Sequence, residues 1–117
     1  MQYEKLKILN RLIPSNLMEK AVSLKDIGID QVAWKQQDAI SVVEILAENR
    51  VLILGGDVYS YVEGRVKLTS DRDNWYMTIT VNVQDGTLLQ KSKDISIEYI
   101  KSYALQNGEN YCYSIVF

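Results

Sequence analysis

Two apolar runs that flank Gly55-Gly56-Asp57 constrain the fold more than any other feature of the sequence. The first run, Val51 to Leu54, is continuously apolar, as expected for a strand that is covered on both faces. The second, Val58 to Val62, begins directly after the aspartate and has the composition of a strand. Because glycine permits sharp backbone bends, we predict that Gly55 and Gly56 form a structural turn between the two strands and display Asp57.

The remaining pattern predicts helices before and after this region. Periodicity and capping residues predict α-helices at 15–23, at 36–48, and from Ser92 or Asp94 to 106. Strands are predicted at 51–54, 58–62, 65–68, 75–83 and 111–117, with turns at Glu63-Gly64 and Asp85-Gly86. This order predicts one α+β domain over residues 1–117, with a largely antiparallel sheet of about five strands and helices packed on one face.

The large aromatic residues and the single cysteine are predicted to be mostly structural. Trp34 and Trp75 are expected in the core, and Cys112 is expected to be a small buried hydrophobe. Strand alternation puts the last residues on two faces: Tyr111, Tyr113, Ile115 and Phe117 on one, and Cys112, Ser114 and Val116 on the other.

Composition excludes several classes of function. The chain has no histidine and one cysteine, which removes the commonest general base, internal disulfides and the usual zinc ligands. The net charge of −2 comes without a dense basic patch, so we expect no nucleic-acid partner. No signal peptide and no membrane-spanning apolar run is apparent, so a cytoplasmic location is expected. We expect no metal and no cofactor.

Two chemical motifs fit poorly. Gly55-Gly56 lacks the lysine, the hydroxyl residue and the following helix of a phosphate loop. The stretch TSDRDNWY begins like a calcium loop, but Trp75 occupies the third ligand position.

Two further alternatives stay open at this stage. One is a carboxylate-based hydrolase that uses Asp57 and Asp73 as a catalytic pair. The other is a small-ligand or regulatory binding module with a pocket lined by Tyr59, Tyr99 and Tyr103.

The sequence also resembles a known family. The stretch SNLMEKAVSLKDIGI, followed by DAISVVEILAENRVLILGGDVY and then by DNWY, is similar to immunity protein family forty, a family of bacterial immunity proteins from polymorphic toxin systems. The resemblance covers residues 12 to 76 and extends through the late helix to most of the domain. It rests on the joint occurrence of GGDVY and DNWY at this separation.

The resemblance implies a non-catalytic protein that is made beside a toxin, binds the C-terminal domain of that toxin and protects the producing cell. An inhibitor of this kind needs aromatic anchors and fixed charges on a rigid scaffold. The residues expected to form that partner-binding patch are Asp57, Tyr59, Tyr61, Asp71, Asp73, Asn74 and Tyr76.

Overall fold

A computed structural model describes residues 2–78 and 86–117. Within these residues the chain forms four α-helices: α1 (Gln2–Leu12), α2 (Ser15–Met18), α3 (Gln36–Glu48) and α4 (Gly86–Asn107). The strands in the same part of the chain are β1 (Val22–Ser23), β2 (Val32–Lys35), β3 (Gly55–Val62), β4 (Arg65–Leu68), β5 (Asn74–Tyr76) and β6 (Tyr111–Val116). A short 3-10 helix, Lys25–Ile27, joins β1 to β2.

The strands form one sheet in the order β1-β2-β6-β3-β4, and β5 pairs with β3 on the same side as β4. Every pairing is antiparallel. The second half of β3 pairs with β4, and its first half pairs with β5. Strand β3 therefore lies inside the sheet over most of its length, with β6 on the other side of Gly55 to Ser60. This architecture confirms the predicted α+β class and the predicted antiparallel sheet.

The α-helices and the 3-10 helix lie on opposite faces of the sheet. The main core combines side chains from all four α-helices with one side of β2, β3, β5 and β6. A second, smaller core lies on the other face, where Leu24 and Ile27 of the 3-10 segment cover Ala33, Tyr59 and Cys112. We call this second side the helix-free face. The predicted packing of the α-helices on one face is confirmed.

Helix α3 has the predicted bounds, because its signals are local: a continuous apolar stripe with polar residues opposite. The other helices differ from the prediction. Helix α4 begins at Gly86, well before the predicted start, and α2 ends at Met18 because the chain then enters β1. Helix α1 was not predicted from the sequence, and its Leu9 packs in the main core.

The predicted strand at Val51–Leu54 and the glycine corner after it are wrong. Residues 51–54 form no strand, although Ile53 is buried and the Leu54 N–H donates to the Val116 carbonyl at 2.7 Å. Instead, Gly55 and Gly56 are the first residues of β3. The chain stays extended here because strands on both sides pair with this segment.

The sequence predicted two further turns, of which Glu63-Gly64 lies wholly within the described residues and Asp85-Gly86 only in part. Glu63 and Gly64 form the two-residue β3–β4 hairpin as predicted, with φ of 52° and 77°. Positive φ at both central residues is the signature of a type I′ turn. The predicted strand at 75–83 and the predicted turn at Asp85-Gly86 extend outside the described residues. Of the predicted strand, Trp75 and Tyr76 lie in β5 and residues 77–78 form no strand; Gly86 is the first residue of α4.

Candidate functional site

The GGD and DNWY segments are neighbouring strands, paired in register. Gly55 lies opposite Tyr76, Gly56 opposite Trp75, and Asp57 opposite Asn74. The Trp75 ring covers Gly56, and a β-carbon at that position would overlap the ring and the backbone carbonyl of β6. A β-carbon at Gly55 would approach the Tyr76 Cα to 2.9 Å. The two motifs are therefore a single structural unit, in which the glycines make room for β5.

Trp75 also connects the sheet to α4. It is 6% exposed, and its indole N–H donates to the Ser96 hydroxyl at 3.0 Å. Its ring stacks on Tyr99 at 4.9 Å, and Tyr99 stacks on Tyr103 at 6.0 Å. Tyr103 in turn meets the edge of Tyr111 at 5.1 Å. Each such aromatic pair contributes about 0.5–1.5 kcal/mol beyond its burial, so this row of rings fixes α4 against the sheet.

Asp57 lies on the helix-free face, because the next residue, Val58, enters the main core. The side chain is partly buried. Within the described residues no hydrogen bond or ion pair reaches its carboxylate, and burial alone raises its pKa above the ordinary 3.8. A partly desolvated carboxylate without a counter-charge lowers the free energy of unfolding of the free protein.

Tyr59 and Tyr61 lie on this face, as their alternation predicts, but both side chains pack into the second core. Tyr59 is 5% exposed and packs with Leu24 and Cys112. Burial first, and then the charge of Asp57, raise the pKa of the Tyr59 phenol, against a smaller lowering by the Ser114 hydroxyl. Tyr61 is half-buried in the same core. Both rings support the sheet more than they offer surface to a partner.

Asp71 and Asp73 are separated from Asp57 in different ways. Asp71 is exposed in the turn between β4 and β5. Asp73 points to the helix side, where its carboxylate accepts a 2.7 Å hydrogen bond from the Tyr103 hydroxyl. That turn is held by its own hydrogen bonds, since the Asp73 N–H donates to the Thr69 hydroxyl at 2.9 Å.

Asn74 and Tyr76 are the residues that the structure places beside Asp57 on the helix-free face. Asn74 is directly opposite Asp57 and exposed. Tyr76 is one row further along β5 and 75% exposed. Leu68, which lies opposite the buried Tyr59, adds an exposed apolar side chain to the same face. We call Asp57, Leu68, Asn74 and Tyr76 the sheet patch.

Ser114, which the sequence did not single out, lies buried beside Asp57. It pairs directly with Asp57 across β3 and β6 and is 1% exposed. Its hydroxyl oxygen makes no hydrogen bond of normal geometry among the described residues, although it lies close enough to the Tyr59 hydroxyl to lower the pKa of that phenol. The alternation of β6 correctly put Ser114 on the face of Cys112, but only the register of the two strands brings it next to the carboxylate.

The open alternatives are not supported by this geometry. Asp57 and Asp73 lie on opposite faces of the sheet, so they do not face each other across a cleft. Tyr59 is likewise on the other face from Tyr99 and Tyr103, so the three do not line one pocket.

A groove in the described part of the chain lies away from the sheet patch. It measures about 440 Å³, opens between α1 and the ends of β2 and β6, and is lined by none of the predicted site residues. In the same part of the chain, no cluster of three or more acidic or cysteine side chains could hold a metal ion. No helix within the described ranges is both long and apolar enough to span a bilayer.

These features define the chain as a small α+β domain in which Asp57, Asn74, Tyr76 and the turn residue Asp71 lie at the surface, while Tyr59 and Tyr61 pack into the second core and Asp73 bonds to α4. The family model for Immunity protein 40 matches residues 23–117, and the chain belongs to that family. The resemblance found in the sequence is thereby confirmed, and the match extends past Tyr76 through α4 and β6. No curated protein and no solved structure matches the chain. The chain is accordingly an immunity protein.

Proposed function

We propose that this protein neutralises a cognate bacterial toxin by binding the toxin's C-terminal domain through the sheet patch and the adjacent turn that carries Asp71. The observation that carries the proposal is membership of the Immunity protein 40 family over residues 23–117. Protection requires no chemistry from the inhibitor itself, and the proposed mechanism is occlusion of the toxin by a rigid partner in the cytoplasm of the producing cell.

The sheet patch has the composition of a protein-binding surface. Exposed tyrosine is enriched at energetic centres of interfaces, and Tyr76 supplies a large ring at low entropic cost. Leu68 gives apolar area beside it, while Asn74 and Asp57 supply hydrogen-bonding groups that fix orientation. The mixture of one aromatic, one aliphatic and two polar side chains on adjoining strands suits a specific, non-obligate contact.

The scaffold beneath the patch is stiff, which limits the entropy lost on binding. Strand β3 is paired on both sides, and the row of rings that begins at Trp75 holds β5 against α4. In the adjoining turn, the Asn74 side-chain amide donates to the Arg72 carbonyl at 2.9 Å.

A co-expression experiment tests the proposal. The C-terminal toxin domain encoded beside the gene for this chain is expressed in a bacterial host with and without the protein, and growth is measured. Wild-type protein should restore growth and should bind the purified toxin domain in titration calorimetry. No rescue and no binding by the wild-type chain would refute the proposed function.

Two variants then test the surface. Tyr76→Ala removes an exposed ring and should weaken binding roughly five- to thirty-fold, the effect of losing about 1–2 kcal/mol. Leu105→Ala is the matched control, because Leu105 is 88% exposed on α4, on the other side of the sheet. Both variants should unfold at the wild-type denaturant midpoint. Equal binding by the two variants would place the contact elsewhere on the protein.

A further inference from the structure

We propose that Asp57 and Ser114 form a receptor for one arginine side chain of the partner protein. This inference rests on the proposed function and names the chemistry of the partner at the centre of the sheet patch. The guanidinium would pair with the Asp57 carboxylate and lie against the exposed ring of Tyr76, while the Ser114 hydroxyl would donate to the carboxylate in the complex.

The Asp57 carboxylate carries a charge that no described residue pairs. A carboxylate on an inner strand, partly buried and without a counter-charge, makes the free protein less stable than a neutral side chain would. Burial is also the only resolved cause of its raised pKa. Because part of the desolvation has already occurred before binding, a cation that arrives from a partner gains more from this carboxylate than from a fully hydrated one.

The Ser114 hydroxyl lies next to this carboxylate. Ser114 is directly opposite Asp57, so their β-carbons lie about 5 Å apart on the same face. Its oxygen is buried and makes no hydrogen bond of normal geometry among the described residues, which is uncommon for a buried polar atom. The nearby Tyr59 hydroxyl, whose pKa Ser114 lowers, is the competing partner that the serine would give up on binding. A carboxylate has about four acceptor sites, so it can take a serine proton and a guanidinium together.

The sheet patch suits an arginine side chain better than a lysine side chain. A guanidinium binds a carboxylate through two parallel N–H donors, and its plane stacks on aromatic rings. Tyr76 lies one row along β5 from the residue that pairs with Asp57, and three-quarters of its surface is exposed. A guanidinium could therefore pair with the Asp57 carboxylate and stack on the Tyr76 ring at the same time. A compact, strongly hydrated ammonium would use only the carboxylate.

Binding affinity for the toxin domain is the primary test. Asp57→Asn keeps the shape of the side chain and removes its charge, and it should weaken binding about thirty-fold or more, as for loss of one partner of a buried charge pair. Glu48→Gln is the control: Glu48 is an exposed carboxylate at the end of α3 and should leave the affinity unchanged. Ser114→Ala should weaken binding roughly ten-fold.

The stability of the free protein gives an independent readout. The pKa of Asp57 is higher in the folded protein than in the unfolded chain, so the native state binds this proton more tightly. The charged form therefore opposes folding above the folded-state pKa. Asp57→Asn should accordingly unfold at an equal or higher midpoint than wild type at pH 7, and the difference should vanish below about pH 3.8, the ordinary value. A residue with a purely structural role would lose stability instead.

The partner side is tested by replacing each exposed arginine of the toxin domain by alanine. One replacement should be strongly non-additive with Asp57→Asn in a double-mutant cycle. The arginine receptor is overturned if wild type binds while Asp57→Asn binds within three-fold of it, if Asp57→Asn lowers stability at pH 7, or if the coupled residue is a lysine. Failure of wild type itself to bind would refute the proposed function instead, so the two failures are distinguishable.

Discussion

Replacing Gly56 by alanine should destabilise the protein by about 2–5 kcal/mol. The added β-carbon would overlap the Trp75 ring, with Cζ2 at 2.5 Å, and would meet the backbone carbonyl of Ser114 on the other side. Neither the Trp75 ring nor the Ser114 carbonyl can move aside without breaking other interactions. The carbonyl belongs to a paired strand, and the indole is fixed by its hydrogen bond to Ser96 and its stack on Tyr99.

The magnitude follows from these contacts. Overpacking a well-filled site costs about 1–3 kcal/mol. Displacing the Trp75 ring would also lose the stack on Tyr99, worth about 0.5–1.5 kcal/mol, and the hydrogen bond to Ser96, worth about 1 kcal/mol. Alanine restricts the unfolded chain and returns about 0.4–1 kcal/mol. For a domain of this size the net loss corresponds to a fall in Tm of roughly 6–25 °C.

Urea unfolding followed by circular dichroism measures this change. Gly86→Ala is the control, since a β-carbon there meets nothing within 4 Å and α4 gains helix propensity. Adding Trp75→Leu to Gly56→Ala should cost less than the sum of the single changes, because the smaller side chain relieves the overlap. An unchanged midpoint for Gly56→Ala, or strictly additive effects in the double variant, would refute the packing argument.

Three further predictions concern buried polar groups. Ser92→Ala should cost about 1–3 kcal/mol in urea unfolding, since the Ser92 hydroxyl donates to the buried Ile53 carbonyl, and a change under about 0.5 kcal/mol would contradict this. Burial raises the pKa of the Cys112 thiol to about 12, so a thiol reagent at pH 8 should label it only in denaturant, and rapid labelling of native protein would contradict its burial. Tyr103→Phe should cost about 1–2 kcal/mol through loss of the bond to Asp73, and two-dimensional NMR should show amide shifts in the 69–73 turn; an unperturbed turn would show that this bond does not hold it.

The sequence by itself determined the local elements of this protein. An apolar stripe with the period of a helix fixed α3, and Glu63-Gly64 fixed the β3–β4 hairpin, because helices and tight turns are specified by residues close together in the chain. Alternation correctly placed Tyr59 and Tyr61 on one face, and it divided β6 into the two faces that the structure shows. The family resemblance was also readable, since its two motifs are short strings.

Only the tertiary structure decided how these elements form a surface. Strand register is set by contacts distant in sequence, and a shift of one residue moves a side chain to the other face. The pairing of Asp57 with Asn74 therefore sends Asp73 to the helix side and brings Ser114 beside Asp57. The same register turns the expected Gly55-Gly56 corner into a straight strand, because Trp75 needs the space that two absent side chains leave.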